Sequence, residues 1–151
     1  MAHSDGTGAG TAAALPALQQ RFPAAAILPI DLTAAMLQAG PAESLRVCAD
    51  AAHLPLADAS VHLVFSNLML HHCPDPEAVL REMRRVLGIP GVLLFTTFGP
   101  NNLLELGRAW ATADRYSHIS RFPDMHDVGD ALLQAGFAEP VIDSQTLTIT
   151  Y

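Results

Sequence analysis

The sequence predicts an α/β fold: a three-layer sandwich with a mostly parallel sheet between helices. Two observations carry that reading. Short apolar runs at 25–31, 45–51, 61–67 and 92–98 alternate with segments whose apolar residues recur at helical spacing. Strands that alternate with helices pair in parallel, because each helix returns the chain to the same end of the sheet. The chain has 151 residues, half of them apolar and few aromatic, which suits a single domain, 1–151.

The elements follow in order. Residues 1–10 are glycine-rich, with no strand before them. TAAALPALQQR (11–21) reads as a helix in which Pro16 shifts the start or introduces a kink. AAILPID (25–31) is a strand ending in Asp31, and TAAMLQAG (33–40) a short helix with Thr33 near its N-cap and Gly40 at its end. LRVCADA (45–51) is a strand ending near Asp50, PLADAS (55–60) a turn, and VHLVFSN (61–67) a further strand. DPEAVLREMRRVL (75–87) is the strongest helix. Pro76 suits its first turn, and Val79, Leu80, Met83, Val86 and Leu87 form an apolar face. GIPG (88–91) makes a turn into the buried strand VLLFTTF (92–98). Gly99 and Pro100 break that strand, and Asn101 or Asn102 caps a helix over 103–113. DMHDVGDALLQAG (124–136) is a helix with a glycine stop, and PVIDSQTLTITY (140–151) alternates as a strand. Only four residues precede Asp5, and the last strand ends with the chain. The first and last strands are therefore expected to be incomplete or missing, and the domain partial.

Charge and cysteine usage narrow the function. The net charge is −7 and all eight basic residues are arginine, which disfavours a nucleic-acid partner. Cys48 and Cys73 have no metal-type spacing around them and read as two free, buried thiols. No apolar run reaches the ~18 residues of a membrane span, and the N-terminus lacks the layout of a signal peptide. The expectation is a cytoplasmic protein without a membrane partner.

DGTGAGTAA (5–13) is the first candidate site. Gly6, Gly8 and Gly10 let a backbone approach a ligand closely, and the helix that follows offers unpaired N–H groups. Asp31 ends the next strand, where a carboxylate can accept from both hydroxyls of a ribose. GAGTAA (8–13) also fits the dinucleotide pattern GxGxxA, so these residues leave an NAD-binding oxidoreductase open beside an S-adenosylmethionine site.

CADAAHLPLADASVHLVFSNLMLHH (48–72) discriminates. Its acidic strand end, its Leu-Pro, its acidic turn and its Ser-Asn strand end resemble, in register, the class I S-adenosylmethionine-dependent methyltransferases. REMRRVL (81–87) followed by GIPGVLLFTTF resembles a further stretch of that family, with Ile89 and Pro90 altering the usual order. The resemblance implies a Rossmann-like fold with S-adenosyl-L-methionine as cofactor. It places Asp50 on the adenine amino group and the Ala51 backbone against the ring. Leu32 joins Asp31 at the ribose, and Asn67, Leu68 and His71 line the methionine end.

FTTFGPNNLLELGRAW (95–110) and HISRFPDMHDVGDALLQAGFAEPVIDSQTLTITY (118–151) resemble one branch, the malonyl-acyl-carrier-protein O-methyltransferases of biotin biosynthesis. That implies methyl transfer to the free carboxylate of a malonyl thioester, carried on acyl carrier protein or coenzyme A. A carboxylate is already ionised at pH 7, so no catalytic base is expected. Arg121 is the candidate to grip it, unless it pairs structurally with Asp124 or Asp127. Phe98, Trp110 and Phe122 either shield the site or fill the core. Adjacent His71 and His72 diverge and lack a third ligand, so no metal is expected. An acidic carrier protein needs a basic patch, from Arg81, Arg84 and Arg85 or from Arg108, Arg115 and Arg121, although the first trio also reads as a solvated helix face. A truncated, non-catalytic methyltransferase remnant is the remaining alternative.

Overall fold

The computed structural model describes residues 9–41, 45–113 and 122–148. The chain falls into two compact units, Met1–Thr97 and Phe98–Tyr151.

In the first unit the order is α1 (Leu15–Arg21), β1 (Ile30–Asp31), α2 (Ala34–Ala39), β2 (Val47–Cys48), β3 (Val61–Asn67), a 3₁₀ turn (Leu70–His72), α3 (Pro76–Val86) and β4 (Leu87–Thr96). Pro16 shifts the helix start rather than kinking it: α1 begins at Leu15, and the proline lies in the first turn, where its missing N–H goes unnoticed. Ala12 just before it is buried and left-handed, at φ 55°, a conformation that costs a residue with a Cβ about 1–2 kcal/mol. Gly40 ends α2 under a steric demand, since a Cβ there would lie 2.8 Å from the Thr11 carbonyl oxygen. Arg46, on the way into β2, donates to the carbonyls of Leu37, Gly40 and Pro41 and so ties the strand to the end of α2.

All described strand pairs are parallel. β1 pairs with β2 (Ile30 opposite Val47, Asp31 opposite Cys48), and β3 pairs with β4 (Phe65 opposite Leu94, Asn67 opposite Thr96). The expected sheet is thus present as two two-stranded pieces, because among the described residues no strand joins them. On its edge away from β2, the Ile30 carbonyl accepts the Ala9 N–H at 2.7 Å, so the glycine loop starts against β1. The runs 25–31 and 45–51 shrink to two paired residues each, since a ladder extends only as far as both strands run side by side.

α3 anchors the core. Asp75 caps it by accepting the Ala78 N–H at 2.8 Å. The expected apolar face, Val79, Leu80, Met83 and Val86 with Leu87 beyond, is fully buried. GIPG (88–91) does not separate helix from strand. β4 begins at Leu87, directly after α3, and the GIPG residues bulge from the ladder, whose register passes from Val61–Leu87 to Leu63–Val92.

In the second unit, α4 (Leu104–Ala113) follows a turn closed by the Asn102 N–H on the Gly99 carbonyl. The residue before α4 is Leu103 at φ 57°, so neither Asn101 nor Asn102 holds the capping position expected of them. α5 (Met125–Gln134) opens on a capping box between Asp124 and Asp127. It closes on Gly136 at φ 89°, with Gly136 and Phe137 donating back to Leu133 and Leu132. The strand expected at 140–151 is absent over 140–148. Val141 and Leu147 stand in solvent there.

Candidate functional site

The site residues of the first unit gather at the carboxyl ends of parallel strands, the margin at which α/β sheets bind ligands. Asp31 ends β1 and is 1% exposed. One carboxylate oxygen accepts the Gly10 N–H at 2.7 Å, the other the Thr33 N–H at 2.8 Å. It therefore holds both the glycine loop and the entry to α2. Gly10 has φ 55°, and a Cβ there would meet only the Met36 methyl, at 3.9 Å, so the loop stays open to a close neighbour. Leu32, next in the chain, is exposed.

Asp50 lies two residues beyond β2, on the strand neighbouring β1, and faces solvent. Its carboxylate accepts the Ala52 N–H at 2.9 Å and lies 3.3 Å from His53 Nδ1. The Ala52 bond, with help from His53, holds its pKa below the ordinary 3.8. The pKa of the Cys73 thiol, after the 3₁₀ turn, is raised first by burial and then by the charge of Asp50.

The carboxyl end of β3 contributes Asn67 and Leu68, both exposed. Asn67 meets the Thr96 hydroxyl of β4 at 2.7 Å. His71 and His72 do not diverge as expected: their rings lie 4.0 Å apart, tilted by 42°, and burial followed by the His72 charge pushes the His71 pKa below 6.5. Among the described residues no three His, Cys, Asp or Glu side chains gather to hold a metal ion.

A clamp behind the site went unseen in the sequence. Glu82 of α3 accepts the Leu54 N–H at 2.7 Å. Arg85 donates to Glu82, to Asp58 at 2.6 Å, and to the carbonyls of Leu54 and Leu56. Together they hold the loop that leads away from Asp50. Hydrogen bonding by Arg85 keeps the Glu82 pKa below 4.5. The Glu-x-x-Arg spacing was the available signal; the loop it grips lies about thirty residues upstream. Arg81 likewise faces Asp75 and Glu77, and Arg84 donates to the Leu87 carbonyl, so two of the three arginines expected to form a basic patch are paired with carboxylates.

Other expectations divide. Cys48 and Cys73 are free thiols, but Cys48 is exposed, because two-residue β2 leaves it uncovered, and Cys73 is half-buried. Phe98 and Phe122 meet edge to face at 5.5 Å within the second unit. Gly6, Gly8, Arg115 and Arg121, with the side chain of Trp110, lie outside the described residues. No helix of the described residues is long and apolar enough to cross a membrane.

The glycine loop, Asp31, Asp50 and Asn67 fall within residues 6–95, which match a family described as a methyltransferase domain. The chain belongs to this methyltransferase family. The parallel α/β architecture is accordingly of the class I, Rossmann-like type. The methyltransferase chain is 44% identical over 156 residues to a malonyl-[acyl-carrier protein] O-methyltransferase of Gallionella capsiferriformans, covering 95% of this chain and 54% of that protein. It is 45% identical to one of Halorhodospira halophila, covering 95% and 51%. It thus spans about half the length of the curated relatives it matches. Among solved structures, an S-adenosylmethionine-dependent methyltransferase from Thermotoga maritima superposes with a TM-score of 0.68 at 23% identity, covering 87% of this chain and 62% of that one. One from Mesorhizobium loti gives 0.65 at 22%, covering 87% and 72%. At these identities the likeness is one of fold.

Proposed function

We propose that this methyltransferase chain binds S-adenosyl-L-methionine and methylates the free carboxylate of a malonyl group on acyl carrier protein, as a step of biotin biosynthesis. The relatives' shared name supports the substrate, and the free thiols Cys48 and Cys73 suit a reducing, cytoplasmic setting. The observation that carries the cofactor is the placement of Asp31 and Asp50 at the carboxyl tips of adjacent parallel strands, beside a left-handed Gly10. Both units belong to one partial domain in this reading, because the matched stretch of the relatives runs through both.

The residues fit the cofactor. The Asp31 carboxylate has about four acceptor positions, and Gly10 and Thr33 occupy two, which leaves two for ribose hydroxyls. Asp31 is buried, so ribose binding in this reading requires the Gly10 segment over it to shift. Gly6 and Gly8 are proposed as further cofactor-binding residues. Asp50 accepts from the adenine amino group, with Ala51 against the ring and Leu32 beside the ribose. Asn67, Leu68 and His71 line the methionine end. When bound, the cofactor supplies an electrophilic methyl group on a sulfonium.

The protein's remaining task is alignment. Malonyl carboxylate is ionised at pH 7, so no side chain has to remove a proton. Arg121 is the proposed grip on that carboxylate. Excluding water favours the reaction, because an anion and a cation approach neutrality as the methyl moves. Good positioning contributes roughly 7–11 kcal/mol to such a step. Mass spectrometry of malonyl-acyl carrier protein and of malonyl-coenzyme A, each incubated with the chain and cofactor, tests the reading. A gain of one methyl on the carrier-protein thioester is expected; gain on coenzyme A alone transfers the substrate assignment, and gain on neither removes it.

A further inference from the structure

We propose that Glu82 and Arg85 of α3 are positioning residues for adenine recognition: they fix the loop that begins at Asp50, and so hold the Asp50 carboxylate and the Ala51 backbone against the base. The proposal rests on the cofactor reading above and adds to it two residues that touch no ligand.

Residues 51–60, which lead from Asp50 to β3, form neither helix nor strand, so no ladder fixes them. At the head of this loop the Asp50 side chain is 54% exposed. A carboxylate on a free loop has to be ordered when a ligand arrives, and that ordering weakens binding. Here the loop is ordered in advance. Asp50 closes a turn: its carboxylate accepts the Ala52 N–H at 2.9 Å, and its carbonyl the His53 N–H at 3.0 Å. Leu54 comes next, and both of its backbone groups are held. Its N–H donates to Glu82 at 2.7 Å, and its carbonyl accepts from Arg85 at 3.0 Å. Two bonds of opposite polarity fix the direction of the chain at Leu54 as well as its position. The turn ends at His53 and the clamp begins at Leu54, so no unheld residue lies between them.

The grip continues along the loop. Arg85 reaches the Leu56 carbonyl at 2.9 Å, and the carbonyls of Arg85 and Val86 accept the Ala59 and Ser60 N–H groups, both at 2.9 Å. The clamp is itself rigid. Arg85 Nε meets one Glu82 oxygen at 2.8 Å and Nη2 the other at 2.7 Å, the two-pronged geometry of a guanidinium on a carboxylate. The Glu82 side chain is 14% exposed, so water competes little for it. Behind it α3 is seated by Val79, Leu80, Met83 and Val86, all buried. The loop thereby takes its position from the core.

The test measures a preference rather than an affinity. Titration calorimetry compares S-adenosylhomocysteine with its purine-riboside analogue, which lacks only the adenine amino group. Wild type is expected to prefer the amino form by about tenfold, the scale of a hydrogen bond to a charged group, and Asp50→Ala to abolish the preference. Arg85→Lys keeps the charge and loses the fork; Glu82→Gln loses the ion pair. Each is expected to cut the preference by about threefold, and to change nothing further in the Asp50→Ala background, because both act through Asp50. Arg81→Ala, on the same helix, leaves the preference as in wild type. Should Arg85→Lys not fold, Glu82→Gln decides alone. A clamp that only stabilises the fold weakens both ligands equally and leaves the preference at the wild-type value, which overturns the inference while the Asp50 reading stands. A wild-type chain that binds neither ligand, or shows no preference, removes the adenine role of Asp50 and the clamp's role with it.

Discussion

Asp31 is used by the chain before any ligand arrives. Its two oxygens accept the Gly10 and Thr33 N–H groups, one from the glycine loop and one from the entry to α2. Asp31→Asn keeps the side-chain shape but replaces one acceptor by a donor, so one of those N–H groups then faces an NH2. An unmet buried donor costs about 1–3 kcal/mol. Asp31→Asn is accordingly expected to lower the urea midpoint of the chain without any cofactor present. An unchanged midpoint would show that the carboxylate is not what secures the loop. Part of this was legible in the sequence. An acidic residue ending a strand about twenty residues after the glycines marked Asp31 as a ligand for ribose. Its internal partners were not legible, because they depend on how the loop folds back onto β1.

At the scale of elements, α3 does two jobs with opposite faces. Its apolar face was plain from periodicity, and Val79, Leu80, Met83 and Val86 are all buried. Its polar face holds the 54–58 loop through Glu82 and Arg85, and this has a pH signature. The folded pKa of Glu82 lies below its ordinary 4.5, with the Arg85 hydrogen bond the largest cause. A carboxylate of lowered pKa stabilises fully above its unfolded value and loses that contribution as pH falls through its folded value. Wild type is therefore expected to lose stability steadily below about pH 4.5, while Glu82→Gln is less stable at pH 7 and has a flatter acid limb. Urea midpoints between pH 7 and pH 3 check this; parallel curves would remove Glu82 from the clamp. Local patterns also explain what was misread. GIPG carries turn chemistry, yet a bulge accommodates it inside β4. Residues 140–148 alternate well but form no strand. The Asn67–Thr96 bond joins residues 29 apart, and only the parallel register brings them together.

For the whole molecule, charge is the property that bears on partners. The chain carries −7, the same sign as the acidic carrier protein that the proposed function implies. The arginines most suited to offset this are committed elsewhere: Arg85 to Glu82 and Asp58, Arg81 to Asp75 and Glu77. Repulsion between like net charges slows encounter, and salt weakens it over a Debye length of about 10 Å at 0.1 M. If net charge governs docking, raising ionic strength from about 0.05 to 0.3 M should increase kcat/KM for malonyl-acyl carrier protein, mainly through association. A local basic patch built around Arg108 predicts the reverse, since salt would then screen an attraction. The two cases differ in the sign of one slope. A rising slope places the recognition in the malonyl group itself, and a falling slope directs attention to Arg108→Ala, which should flatten it.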